Sequence, residues 1–212
     1  MDNVVVVEHP VTKHCLKFLR DKKTGTALFR DCMSRLGLCL AYQATADLPT
    51  RQAQVETPLN VMADVEELDM KGVLLIPVLR AGLGFVNSFL EIIPEAKIAH
   101  IGMARDHQTL EAKVYLRSLP DKLDTYQRVY VLDPMLATGN SCVKTMDILT
   151  ASGIDPASIV LVCAFTAPEG IKQLHQKYPQ IKVVTASVDK CLNEVGYIIP
   201  GCGDAGDRLF LL

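Results

Sequence analysis

The stretch from Val129 to Ser141 holds the parts of a grip for a phosphorylated sugar. A β-branched run, Val129-Tyr130-Val131-Leu132, ends at the acid Asp133, and Pro134-Met135-Leu136 follow. The small turn Ala137-Thr138-Gly139 then leads into a helical pattern opening with Asn140 and Ser141. This order sets a carboxylate at a strand's carboxyl end and open backbone N–H groups at a helix start. The carboxylate can accept from sugar hydroxyls. The N–H groups, with the Thr138 and Ser141 hydroxyls, suit a phosphate.

Three other segments could meet it. In Pro77-Val78-Leu79-Arg80-Ala81-Gly82-Leu83-Gly84 an apolar run ends in a turn with Arg80 at its tip. Backbone donors plus a guanidinium suit a pyrophosphate; alone, the segment reads equally well as a glycine-permitted turn with a solvated arginine. The polar segment 104–111 lacks apolar periodicity, and Arg105 there could fold over an anion as a lid. Tyr197–Arg208 gathers Gly201, Gly203 and Gly206 with Asp204 and Asp207. Such a loop offers backbone donors and acceptors to the edge of a flat heterocycle. His9, His14 and His175 have no partners at ligand spacing, His100 falls in an expected strand and reads as a satisfied core histidine, and Lys71, Lys122 and Arg128 read as solvated charges.

The elements that must position these segments alternate. Strands are expected at Val4–Val7, Val73–Val78, Lys97–Met103, Lys113–Leu116, Arg128–Leu132, Ser158–Phe165 and Lys182–Ala186. A weakly alternating Thr50–Val55 suggests an edge strand. Helices are expected at Pro10–Arg20, Thr26–Ala46, Leu83–Ile93, Asn140–Ser152 and Pro168–Tyr178. Continuous apolar runs such as Val73–Val78 suit strands buried on both faces, so the pattern predicts an α/β domain with a parallel sheet. In such sheets ligands bind beyond the carboxyl ends of the strands, where the segments above would lie.

Bulk composition narrows the class. The 212 residues are 49% hydrophobic, enough for one well-buried core, expected as a single domain over 1–212. Aromatics make up 6% and Trp is absent, so the core must be aliphatic. A formal net charge of −2 provides no basic field for nucleic acid. Seven cysteines without a Cys-x-x-Cys read as reduced thiols in a cytoplasmic protein. No membrane-length apolar run and no signal peptide is evident.

In this order, the four segments resemble the uracil phosphoribosyltransferases. Asp133-Pro134-Met135-Leu136-Ala137-Thr138-Gly139 with Ser141 is similar to that family's phosphoribosyl-pyrophosphate motif, and Leu79-Arg80-Ala81-Gly82 to its pyrophosphate loop. Arg105-Asp106 with Thr109-Leu110-Glu111 is similar to its flexible loop. Gly196-Tyr197-Ile198-Ile199-Pro200-Gly201 with Gly203-Asp204-Ala205-Gly206-Asp207 is similar to its uracil loop. The resemblance implies a phosphoribosyltransferase-type open, mainly parallel sheet with helices on both sides, an N-terminal helical addition and a C-terminal base-binding hood. It implies that uracil and 5-phosphoribosyl 1-pyrophosphate (PRPP) give UMP and pyrophosphate, with Mg²⁺ held through the PRPP pyrophosphate. The implied PRPP-binding residues are Arg80, Arg105, Asp133, Pro134, Met135, Leu136, Ala137, Thr138, Gly139, Asn140, Ser141 and Asp204. Uracil would meet Ile198, Gly203, Asp204 and Ala205. The implied catalytic residues are Asp133, Arg105 and Asp204. A homodimer or an assembly of dimers is implied, GTP is a candidate effector, and the resemblance also raises the expectation of a strained peptide, cis being one form of it, in the loop at Arg80.

Four positions depart from the family pattern. Asn140 stands for a second glycine, Ala104 for a tyrosine, His107 for an acid and Ala112 for a proline. Asn140 would keep the turn through its tolerance of a left-handed conformation. Two further readings stay open: a nucleotide-binding relative without turnover, motivated by Asn140 and Ala104, and an enzyme for another base.

Overall fold

The computed structural model describes residues 3–105 and 112–211. Its elements run β1 (Val4–Val6), α1 (Pro10–Arg20), α2 (Thr26–Ala44), β2 (Thr50–Glu56), β3 (Met62–Leu68), β4 (Val73–Leu79) and α3 (Leu83–Ile92). Next come β5 (Lys97–Ile98), β6 (His100–Arg105), β7 (Ala112–Ser118), β8 (Arg128–Leu132), β9 (Met135–Leu136), α4 (Asn140–Ala151) and β10 (Ile159–Thr166). The chain closes with α5 (Pro168–Lys177), β11 (Lys182–Val188), β12 (Cys191–Leu192), β13 (Ile198–Ile199) and α6 (Ala205–Phe210).

The main sheet has the order β1-β11-β10-β8-β4-β6-β7. Its pairs are parallel except β6 with β7. Successive strand residues serve opposite faces. Leu75, Tyr130, Leu132, Val160 and Val162 join the layer under α1, α2 and α3, while Leu74, Ile76, Val129, Val131 and Leu161 join the layer under α4 and α5. Each fully buried aliphatic side chain stabilises by about 1.5–3 kcal/mol. Among the described residues the buried aromatics, Phe29, Phe85, Phe89, Tyr130 and Phe165, all lie in the first layer. The second is aliphatic with sulfur.

Several expectations need correction. Thr50–Val55 is not an edge strand of the main sheet; β2 pairs antiparallel with β3 in a separate two-stranded arm. The run Lys97–Met103 is split at Ala99, whose N–H still donates to the Leu75 carbonyl at 3.0 Å. Arg128 is not solvated: its side chain is 21% exposed and its guanidinium lies 3.6 Å from Asp47. His9 has a local role, its Nδ1 accepting the Val11 N–H at 3.2 Å to cap α1. All seven cysteines are free. Among the described residues no helix is long and apolar enough to cross a membrane.

Candidate active site

β4 and β8 lie side by side, yet the strand that follows β4 in the chain packs on its other flank. This reversal is a switch point, where an α/β sheet leaves a crevice beyond its strand ends. A cavity of about 770 Å³ opens there. Arg80 from the loop after β4 lines it, as do Asp133, Met135, Leu136, Ala137, Thr138, Gly139, Asn140 and Ser141 from the segment after β8. Ile198, Gly203, Asp204 and Ala205 close it from the C-terminal segment. Pro134 is the exception. It is buried, and its carbonyl accepts the N–H groups of Ala164 and Phe165 at 3.0 and 2.9 Å, tying the loop to β10. The backbone of Arg105 ends β6; its side chain, with Asp106, His107, Gln108, Thr109, Leu110 and Glu111, lies outside the described residues.

Glycines set the approach of these loops. A Cβ on Gly82 would fall 2.2 Å from the Leu132 carbonyl, so only glycine lets the Arg80 turn settle onto the end of β8. The Leu79–Arg80 peptide is cis. Gly139 caps α4 with φ +90°. Asn140 instead opens the helix, so the expectation of a left-handed Asn140 is corrected: the preceding glycine absorbs the turn. Its N–H donates to Thr138 Oγ1 at 3.4 Å, and its Oδ1 accepts from Gln173 Nε2 at 2.8 Å. The first turn of α4 carries no acid, which leaves its N-terminal partial charge available to an anion.

Asp133 sits half-buried at the floor. Burial raises its carboxyl to about 7, and the Met135 N–H, donating to Oδ1 at 3.3 Å, offsets this only in part. The Asp133 charge in turn adds to the burial that pushes the neighbouring Cys142 and Cys163 thiols upward, so both stay protonated.

Sequence reasoning missed Met103 and Tyr115, which with Ala104 form the wall of the cavity on β6 and β7. The register between these strands shifts at Gly102/Met103, leaving Tyr115 without a ladder partner. A Cβ on Gly102 would lie 2.5 Å from the Tyr115 ring. The bulge and the glycine together lay that ring over β6 beside the cavity.

The C-terminal segment is an ordered hood. β12 and β13 pair antiparallel, and Asp204 caps α6 by accepting the Asp207 N–H at 2.9 Å. Glu169 on α5 accepts the Leu192 N–H at 3.0 Å. Arg208 donates to the carbonyls of Cys202 (3.0 Å), Asp21 (2.8 Å) and Leu19. Its guanidinium stacks on Phe29 at 4.1 Å. Arg20 and Asp189 complete the support. The contacts of Arg20, Arg208 and Glu169 join residues far apart in sequence and have no local motif to announce them.

A mainly parallel sheet, with an acid and a glycine turn beyond its switch point and a hood closing from the C-terminus, is the plan of the type I phosphoribosyltransferases. The hypoxanthine-guanine phosphoribosyltransferase of L. donovani shares the fold at a TM-score of 0.50 and 11% identity, over 75% of this chain and 79% of that one. The uracil phosphoribosyltransferase family model matches residues 6–211. Uracil phosphoribosyltransferases of Dictyoglomus thermophilum and Streptococcus salivarius are 46% and 43% identical over 207 and 210 residues, covering 98% and 99% of each chain. The solved structure of the AQ2163 protein from Aquifex aeolicus superposes with a TM-score of 0.88 at 34% identity, over 99% of this chain and 98% of that one. The chain belongs to the uracil phosphoribosyltransferase family, and its activity is that of a pentosyltransferase acting on uracil and PRPP.

Proposed function

We propose the following division of labour within residues 1–212, acting as one phosphoribosyltransferase domain. The observation that carries it is the shared cavity of Asp133, the Ala137–Ser141 turn, Arg80 and the hood. The N–H groups of the turn and the α4 start hold the 5-phosphate, with Thr138 and Ser141 hydroxyls beside them. Asp133 accepts from the ribose hydroxyls. Arg80 faces the pyrophosphate, and Arg105 is assigned to the same group from the resemblance alone. Backbone groups of Ile198, Gly203 and Ala205 read the uracil edge, and Asp204 stands where base and sugar meet.

In the reaction a uracil nitrogen forms the bond to ribose C1 as the bond from C1 to the pyrophosphate oxygen breaks. The bonding pair leaves with pyrophosphate, and the nitrogen's proton passes to that released anion or to water. No side-chain nucleophile enters. Positive charge gathers on the ribose while negative charge gathers on the leaving group, so catalysis rests on orientation and on fixed charges. Arg80 and Arg105 oppose the leaving charge; Asp133 holds the ring in line.

Asp133 and Asp204, the carboxylates proposed to meet the sugar, line the cavity, a donor set that fits a metal arriving with its substrate. Among the described residues no cluster of three or more His, Cys, Asp or Glu could hold an ion. Mg²⁺ typically keeps waters and takes substrate phosphates with only one or two carboxylates. Bound through PRPP, it supplies further neutralisation of the pyrophosphate.

The β2–β3 arm supports a homodimer or an assembly of dimers: it presents Leu59, Val61 and Met62 to solvent at 83%, 60% and 56% exposure. Seven free cysteines support a cytoplasmic setting. The deciding experiment is pyrophosphate release with uracil, hypoxanthine and orotate across a range of Mg²⁺. Turnover with uracil alone is expected. UMP binding without turnover would favour a binding protein, and comparable rates with another base would reassign the hood. Repeating the assay with GTP tests that nucleotide as an effector.

A further inference from the structure

From Pro200 to Asp204 the hood has no regular backbone pairing. Its fixed points come from elsewhere in the chain. Asp189, just after β11, has a side chain only 2% exposed. Arg20, the last residue of α1, donates to both its oxygens: Nη2 to Oδ1 at 2.6 Å and Nη1 to Oδ2 at 2.7 Å. Ser187 Oγ donates to Oδ1 at 2.6 Å, and the Gly201 N–H to Oδ2 at 2.8 Å. Arg20 Nη1 also donates to the Gly201 carbonyl at 3.0 Å. The guanidinium stacks on Phe165 at 4.7 Å, which fixes its plane.

One ion pair therefore holds both polar groups of Gly201. That residue has φ +54°, and a Cβ on it would fall 2.2 Å from the Ile198 carbonyl, so the turn is tight as well as tethered. Gly201 and Cys202 do not line the cavity, whereas Ile198 and Gly203 on either side of them do. Their carbonyls go to Arg20 and Arg208 instead. The tether sets where the next donors and acceptors on each side meet a ligand.

We propose that Arg20 and Asp189 form a positioning pair for base selection. By fixing Gly201 they set the spacing of the Ile198 and Gly203 backbone groups, and with it the preference for uracil over a base of different edge pattern. Cytosine is the informative comparison, since it replaces an oxo group with an amino group and an N–H donor with an acceptor. A fixed backbone edge rejects that pattern because buried polar groups would go unpaired. The inference rests on the assignment of the Ile198–Ala205 segment to uracil.

The test compares the parent protein with Asp189→Asn, Ser187→Ala and Gly203→Val. Kinetics with uracil and cytosine are measured beside calorimetric titration of PRPP. Asp189→Asn should raise the uracil KM about tenfold or more, and Ser187→Ala about two- to threefold. Both should narrow the uracil-to-cytosine ratio and leave PRPP affinity unchanged. If Asp189→Asn fails to fold, the milder Ser187→Ala carries the test alone. Gly203→Val interrogates the loop itself, since φ there is +77° and a side chain would enter open space. A raised uracil KM in Gly203→Val with none in the folded tether variants overturns the pair's role while the loop assignment stands. An unchanged uracil KM in Gly203→Val overturns the loop assignment. Parallel losses of uracil and PRPP affinity in the tether variants mark a general structural role and also overturn the proposal.

Discussion

Gln173 on α5 donates from Nε2 to Asn140 Oδ1 at 2.8 Å, so the residue that departs from the family's second glycine is clasped by the neighbouring helix. The bond joins α5 to the first turn of α4, where the 5-phosphate is proposed to sit. Removing the donor should loosen that turn. Gln173→Ala is expected to raise the PRPP KM about three- to tenfold with little change for uracil. In the Asn140→Gly background the same substitution should cost much less, because its partner is gone. A double-mutant cycle on kcat/KM for PRPP measures the coupling.

The Asp133 carboxyl, raised to about 7 by burial, gives two pH dependences of opposite sense. Its ionised form is the better acceptor for ribose hydroxyls, so kcat/KM for PRPP should rise with pH through about 7 and flatten above it. Stability runs the other way. A carboxyl raised from its unfolded value near 4 favours the folded state fully below that pH, and the contribution is lost as pH rises through about 7. Asp133→Asn stays uncharged. It should melt a few degrees above the parent protein at pH 8, with the gap closing towards pH 4, and lose about 10- to 100-fold in kcat/KM for PRPP. Thermal melts and pH–rate profiles on both proteins check the two signs.

Gly170 lies where α5 passes the phosphate turn. A Cβ there would fall 2.4 Å from the Ala137 carbonyl, and backbone cannot step aside as a flexible side-chain end can. Gly→Ala in a helix interior usually stabilises by about 0.5–1 kcal/mol. Here Gly170→Ala should instead destabilise by about 1–3 kcal/mol and weaken PRPP binding. Urea unfolding and PRPP titration give the two numbers.

The β2–β3 arm has exposed apolar residues at Leu59, Val61 and Met62. If a second copy covers them, Leu59→Asp with Val61→Asp should lower the sedimenting mass of the assembly. An unchanged mass would place the subunit contact elsewhere.

The legible parts of this chain are those whose causes are local. The strand Arg128–Leu132 agrees residue for residue with its apolar run, and α1 with its proline start. The phosphate turn stands out because an acid, a glycine and two hydroxyls fall within nine residues. The arm was half hidden because β3, Met-Ala-Asp-Val-Glu-Glu-Leu, breaks its alternation at Glu66-Glu67 and buries no side chain fully. The hood read as glycine-rich loop because its α6 is only six residues long, too short for a periodic stripe. Its anchors were invisible for another reason. Arg20 and Asp189 are 169 positions apart, and a bond between distant residues leaves no spacing to detect.

That distance has a consequence for the two ends of the chain. The base-reading hood is tied to the end of α1 through residues 189, 201 and 208. The N-terminal helix and the C-terminal segment therefore answer for one another: removing either takes away the same set of bonds.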